Sequence, residues 1–458
     1  MTKYTVTNPA TGQTEAEYPT ATDQQVQGAI AAADKAFAVL KGLAAAERAD
    51  LLHRVADLHA ERRDELAAII TREVGKPIAQ SLGEVDIVVS IYRYYAENGP
   101  GFLAEDVLTP AAGGSAVVRK EGLGPLLGIM PWNFPYYQVA RFAAPNLMIG
   151  NTILLKPAPQ CPESALAMEE IFRDSGLPDG AYATLFATND QVADAIADPR
   201  VAGVSLTGSE RAGAAVAETA GRHLKKVVLE LGGSDPFVVL DADGAGMDGL
   251  VKRAVVARLG NAGQACNAAK RFVVLDEVYD EFVEKFTAAL AATAPGDPTD
   301  PGTFLGPLSS QAAADTLQGQ LDAAVAGGAS VLLPGGKTAE DSAFFRPAVL
   351  ADVTPDMGLY YEELFGPVAM VFRAGSEAEA VAIANDTPFG LGASVHSGDA
   401  ERAARVADQI TAGMVSINEA GGSAAELPFG GVKRSGVGRE LGRYGMEEFV
   451  NRKLIRTR

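Results

Sequence analysis

At 458 residues, 47% hydrophobic and 21% charged, the chain has an ordinary globular composition, enough for roughly three lobes of about 150 residues each and outside the disordered and collagen-like classes. A formal net charge of −19 repels phosphate backbones and anionic lipid, which argues against general nucleic-acid or membrane-surface binding and leaves any anionic ligand to local donors. The opening MTKYTVTNPATGQT shows no basic-then-apolar leader, and the apolar neighbourhood from Val139 to Leu155 is interrupted by Arg141, Pro145, Asn146 and Asn151. Two cysteines and four scattered histidines (His53, His59, His223, His396) make no zinc pattern, so we expect a reduced, cytoplasmic protein without structural metal.

Between Asp23 and about Asn98, apolar residues recur at three and four positions among Glu, Arg and Lys, predicting two or three amphipathic helices broken near Lys41–Gly42 and near Gly75–Pro77. The period then shortens. Strands are expected at 116–120, 126–131, 152–156, 183–187, 201–206 and 227–231, separated by helices at 138–149, 162–175, 191–197 and 210–220. A second series starts at Pro236, with strands at 237–240, 272–275, 330–333, 369–372, 393–396 and 414–417 and helices at 246–258, 277–292, 309–326, 377–384 and 400–409. Such alternation predicts two doubly wound α/β lobes, each a parallel sheet covered on both faces, joined near Gly232 to Asp235. The stretch 102–119 and the basic tail FVNRKLIRTR fit neither lobe and are expected to pair as exposed strands, an arm for self-association; a frayed tail is the plainer alternative.

Five stretches are punctuated sharply enough to carry chemistry. Cys266 follows the turn signal GNAG (Gly260 to Gly263), where exposed backbone N–H groups can favour a thiolate, although a lone cysteine is more often a buried small hydrophobe. ELGGSDP sets Glu230 at a strand end before a Gly-Gly break, a place where ligands bind in open α/β sheets. PWNFP holds Asn133 between two rigid prolines, an oxyanion donor or a turn-forming Asn. SLTGSERAG offers a helix N-terminus at Thr207, Gly208 and Ser209 to a phosphate, with a plain serine cap as the alternative. GLGPLLG has the wrong spacing for a dinucleotide fingerprint and is rejected.

Taken in order, PWNFP, ILLKPA, LTGSERAG, ELGGSDP, GNAGQAC, EELFGPV and PFGGVKRSGVGRE resemble the NAD(P)-dependent aldehyde dehydrogenase superfamily over nearly the whole chain. The resemblance implies a Rossmann-like cofactor domain from 1–101 and 120–232, a catalytic domain from 233–446, and a β oligomerisation arm from 102–119 and 447–458, in a homodimer or homotetramer. It also implies Cys266 as nucleophile, Glu230 as general base, and the Asn133 amide with the Cys266 N–H as oxyanion donors. Lys156 matches the residue bonding the adenosine ribose, Ser209 the pyrophosphate contact and Glu363 the nicotinamide-ribose ligand; Phe365 is expected near the nicotinamide, and Trp132 among the cofactor-binding residues. Three residues after Lys156, where many NAD-preferring members carry a Glu, stands Pro159, so NAD and NADP both stay open; Cys161 close by reads as structural.

Arg141, eight residues after Asn133, occupies the place of the arginine in succinate-semialdehyde dehydrogenases, and an arginine there would hold an ω-carboxylate. The family's second anion-binding arginine is replaced by Gly260, with Arg258 or Ser423 as substitutes. The expected reaction is therefore oxidation of an aldehyde to an acid through a cysteine thioester, with succinate semialdehyde first and short hydroxyaldehydes such as lactaldehyde or glycolaldehyde as the alternative. A non-catalytic nucleotide-binding relative is the reading from another class. A CoA-acylating enzyme is the third, disfavoured by Glu230.

Overall fold

The computed structural model describes residues 3–458. The N-terminal region holds four helices rather than two or three: Asp23–Gly42, Ala45–Glu61, Arg63–Val74 and Ile78–Phe102. The additional break falls at Arg62 (φ −96°, ψ 16°), inside a polar run with no Gly or Pro to mark it. The first helix starts where it does because the Thr22 hydroxyl accepts from the Gln25 N–H while the Gln25 side chain returns to the Thr22 backbone. Ahead of it, Tyr4–Thr7 and Thr14–Tyr18 form an antiparallel hairpin with no counterpart among the expected elements.

The first sheet has six strands in the order Gly436–Val437, Lys226–Glu230, Gly203–Thr207, Pro125–Ile129, Thr152–Lys156, Tyr182–Thr184. Neighbours are parallel except Gly436–Val437, which runs antiparallel to Lys226–Glu230. From the central Pro125–Ile129 the chain steps outward through two strands, then crosses back to Gly203–Thr207 on the other side. That reversal leaves a crevice beyond the carboxyl ends of Pro125–Ile129 and Gly203–Thr207, and PWNFP and LTGSE are the loops that leave those ends.

The second sheet has seven strands in the order Ser330–Leu333, Ala348–Ala351, Val368–Ala374, Ala269–Leu275, Asp235–Val239, Gly392–His396, Met414–Ile417. Ser330–Leu333 is antiparallel to its neighbour rather than part of the parallel series, and that neighbour, Ala348–Ala351, is a strand too short to carry a readable period. The expected boundary at 446 also shifts. Gly436–Val437 completes the edge of the first sheet, and Leu441 and Met446 pack into the first lobe's core with Tyr95 and Leu147, because the chain returns there after Met414–Ile417. The third sheet, Val450–Thr457, Ser115–Gly122 and Asp106–Leu108, is antiparallel and largely exposed, pairing Val450 with Gly122 through to Thr457 with Ser115.

One helix connects the fold to the site. Pro135–Ile149 is buried at every position, as a helix enclosed on all sides must be, and ends at Gly150 with φ 101°, a backbone that strongly favours glycine. Its start has no capping side chain of its own. Glu84, from the helix Ile78–Phe102, accepts from the Tyr136 and Tyr137 N–H groups at 3.0 and 3.1 Å and is ion-paired with the buried Lys76.

Candidate active site

Two cavities meet at Cys266. One, of about 250 Å3, is lined by Trp132, Asn133, Gln138, Thr207, Gly208, Ser209, Glu363 and Phe365; the other, of about 310 Å3, by Tyr137, Gln138, Arg141, Asn267, Ser423 and Phe429. The thiol and Gln138 belong to both. The first cavity occupies the crevice predicted from the strand crossover.

The turn before Cys266 is held in an unusual conformation. Asn261, Ala262 and Gly263 take φ of 49°, 53° and 75°, and the two non-glycine residues store about 1–3 kcal/mol each. Neighbours impose it: Asn261 N–H donates to Gln80 Oε1 at 2.7 Å and its Nδ2 to the Asn133 carbonyl at 2.9 Å. A Cβ on Gly263 would lie 2.5 Å from the Gly366 carbonyl oxygen. Arg258 donates to the Gly263 and Ala269 carbonyls at 2.7 and 2.8 Å and lines neither cavity at Cys266, so where a substrate contact was expected it braces the turn instead. Beyond the cysteine, Lys270 donates to the Ala265 and Cys266 carbonyls at 2.8 and 2.7 Å, so buried cations grip the nucleophile loop on both sides.

Burial dominates the electrostatics. It pushes the Cys266 thiol up to about 12, with Arg141 and Lys270 opposing and Glu363 and Glu230 adding to the shift, so the resting group is a neutral thiol. Glu230 ends its strand fully enclosed, neither carboxylate oxygen has a hydrogen-bond partner, and Oε1 lies 2.7 Å from where a Cβ on Gly430 would stand. Burial first and Glu440 second hold it well above the usual carboxylate range, while Arg141 and Arg439 pull the other way. The result is a buried acid without a hydrogen-bond partner, whose charge contributes to the shift of a half-buried thiol.

Asn133 donates from Nδ2 to the Gln264 carbonyl at 3.0 Å and accepts at Oδ1 from Gln138 Nε2 at 3.0 Å. On the nucleotide side, Ser209 caps the helix Glu210–Arg222, accepting from Ala212 N–H at 3.3 Å, so the cap and the cavity lining are one structure. Glu363 accepts from Gly233 N–H at 3.1 Å and from Lys270 at 3.3 Å, and Trp132 meets Phe365 edge-on with centroids 5.7 Å apart. Lys156 closes its strand with the ammonium 5.9 Å from the Tyr4 ring, and the Pro159 carbonyl accepts from Thr5 N–H at 2.9 Å. Cys161 is buried, its thiol 3.9 Å from the Trp132 carbonyl oxygen.

Arg141 lines the second cavity but does not stand free. Its Nε lies 2.7 Å from Glu440 Oε2, Nη2 donates to Gln138 Oε1 at 3.2 Å, and the guanidinium is sandwiched between the Tyr137 and Phe429 rings at 4.8 and 4.3 Å. Glu440, Gln138, Lys270, Lys76 and Glu84 escaped the sequence reading. Gln138 is an amide inside an apolar run, and Glu440 ends PFGGVKRSGVGRE, a stretch that carries the family resemblance without singling out its last residue. Among the described residues no group of three or more His, Cys, Asp or Glu is arranged to hold a metal, and no helix is long and apolar enough to cross a membrane.

A doubly wound α/β protein with a half-buried cysteine between a nucleotide-type crevice and a second, arginine-lined cavity has the layout of a thiol-dependent dehydrogenase. The family described as Aldehyde dehydrogenase family matches residues 1–455, and the chain belongs to it: it is an NAD(P)-dependent aldehyde dehydrogenase. It is 53% identical over 454 residues to the succinate-semialdehyde dehydrogenase [NADP(+)] of Deinococcus radiodurans, covering 99% of this chain and 94% of that protein. It is 45% identical over 450 residues to succinate-semialdehyde dehydrogenase [NADP(+)] 1 of Mycobacterium tuberculosis, covering 98% of each. Among solved structures, succinic semialdehyde dehydrogenase from Streptococcus pyogenes in complex with NADP+ superimposes with a TM-score of 0.96 at 41% identity, covering 99% of each chain.

Proposed function

We propose that the chain oxidises succinate semialdehyde to succinate with NADP+, using Cys266 as nucleophile, Asn133 as oxyanion donor and Glu230 as base. The observation that carries this reading is the position of Cys266, whose thiol is shared by the nucleotide-side cavity and by the cavity that Arg141 lines. The names of the relatives support the choice of aldehyde and cofactor.

The residues around the first cavity fit a nicotinamide dinucleotide. The helix N-terminus at Ser209 suits the pyrophosphate, Glu363 a ribose hydroxyl pair, Lys156 the adenosine ribose, and the Trp132 and Phe365 rings flank the nicotinamide end, with Thr207 and Gly208 on the floor. Pro159 puts no carboxylate where a 2′-phosphate would lie, which is compatible with NADP+.

In this mechanism Cys266 gives its proton to solvent water and its sulfur bonds to the aldehyde carbon, the carbonyl C–O π pair moving onto the oxygen. The free Asn133 Nδ2–H and the Cys266 backbone N–H hold the oxygen as it becomes anionic. The nicotinamide, when bound, supplies the acceptor for the hydride that leaves the adduct. Glu230 then takes a proton from a water that attacks the thioester carbon, the C–S bond breaks, and succinate and the Cys266 thiol are released. Arg141 holds the far carboxylate, with Ser423 on the same wall. Its pairing with Glu440 favours, as a second reading, neutral short aldehydes.

Steady-state kcat/KM for succinate semialdehyde, butanal and glycolaldehyde, each with NADP+ and NAD+, decides between the two. The first reading requires succinate semialdehyde with NADP+ to lead, and a lead by a neutral aldehyde overturns it. The exposed three-stranded sheet and the edge strand Met414–Ile417 are the surfaces we propose for homodimer or homotetramer formation, in a cytoplasmic enzyme.

A further inference from the structure

We infer that Gln138 is a positioning residue that fixes the Asn133 amide with its N–H2 toward the substrate oxygen and ties it to Arg141. The inference rests on the oxyanion role proposed above. The orientation of a paired amide chain is set by its ends, and here both ends are unambiguous. At one end the Arg141 guanidinium can only donate, so the atom it meets at 3.2 Å is Gln138 Oε1. Gln138 Nε2 therefore faces Asn133, and the atom it reaches at 3.0 Å is Oδ1. At the other end the Gln264 carbonyl can only accept, so Asn133 Nδ2 lies there, again at 3.0 Å.

These assignments agree, and they leave one hydrogen on Asn133 Nδ2 uncommitted. Gln138 is 1% exposed and lines both cavities, so no water substitutes freely for its bonds. The Glu440 pair holds Arg141 still at the far end. The run Glu440–Arg141–Gln138–Asn133 thus carries order from the carboxylate-facing wall to the oxyanion donor. Without Gln138, Asn133 keeps one partner and its amide has freedom to swing or flip, turning a carbonyl oxygen toward a developing negative charge.

The test is a double-mutant cycle in the full-length enzyme. Gln138→Glu keeps the acceptor for Arg141 and removes the donor to Asn133, while Gln138→Met removes both bonds and introduces no charge. Removing an oxyanion donor outright costs about 10²–10³ in kcat, so Asn133→Ala sets the ceiling and the Gln138 variants should lose about 10-fold or more within it. Measured with butanal, which makes no demand on Arg141, the loss should appear in kcat and vanish in the Asn133→Ala background. Wild-type kcat in both Gln138 variants, or a loss that persists undiminished beside Asn133→Ala, overturns the positioning role alone. Wild-type kcat in Asn133→Ala overturns the oxyanion reading and the inference with it.

Discussion

If Arg141 is the carboxylate clamp, the informative perturbation is a pair of substitutions. Arg141 and Glu440 are both buried and 2.7 Å apart, and breaking such a pair by removing one partner costs about 3–5 kcal/mol because the other charge is left without compensation. Arg141→Met alone would therefore slow every substrate by disturbing Glu440, Gln138 and Glu230 together. Arg141→Met combined with Glu440→Gln removes both charges and keeps an apolar side chain between the Tyr137 and Phe429 rings. A charge-assisted hydrogen bond contributes about 1.5–3 kcal/mol, so the double variant should lower kcat/KM for succinate semialdehyde by about 10- to 150-fold. Butanal, which offers no carboxylate, should lose only the share that Gln138 forfeits with its Arg141 partner, so the two aldehydes should separate by about the factor above. Initial rates of NADPH formation with the two aldehydes, alongside thermal unfolding, give the comparison. An equal loss for both aldehydes in the double variant refutes the clamp.

Cys266→Ala should abolish NADPH formation while NADP+ affinity, followed by fluorescence titration, stays within about 3-fold, because it trims one small side chain from a crevice whose polar lining comes from other residues. Glu230→Gln should lower the steady-state rate by about 10²–10⁴ yet leave a first-turnover burst of NADPH, which separates a base for thioester hydrolysis from one needed before hydride transfer. Burial raises both Cys266 and Glu230, so their reactive ionised forms grow with pH, and kcat/KM should climb from about pH 6 to about pH 9; a fall over that range contradicts the assignment. Stability should fall on the acid side as well. His59 is buried and lowered from 6.5 to about 4, so below pH 6.5 the unfolded chain takes a proton that the folded one refuses, and about 3 kcal/mol is lost as pH falls towards 4. His59→Phe, stacked on Tyr92 as the imidazole is, should flatten that part of the acid unfolding curve.

The elements readable in advance were those whose period and punctuation agree. Thr152–Lys156 is bounded by an Asn and a Pro, and Glu210–Arg222 begins at a serine cap, so local chemistry and tertiary structure ask for the same thing. Gly436–Val437 and Ala348–Ala351 were not readable because short strands are decided by a distant partner rather than by their own pattern. The site divides in the same way. Cys266, Glu230 and Asn133 each sit at a turn or strand end, where Gly and Pro announce a special backbone. Arg258 looked like a ligand because a charge near the nucleophile is conspicuous, yet its partners are main-chain carbonyls that no side-chain pattern reveals. Gln138 and Glu440 were silent for the converse reason: their importance lies in whom they touch, Asn133 and Arg141, across 5 and 299 residues of chain.

The central claim is that carbon–sulfur chemistry at Cys266 oxidises an aldehyde carrying a carboxylate. Mass spectrometry of Glu230→Gln, quenched after one turnover with succinate semialdehyde and NADP+, tests it directly. A succinyl group should appear on the peptide that holds Cys266, formed in step with NADPH and absent from Cys266→Ala. NADPH released with that peptide unmodified at every time point would contradict it.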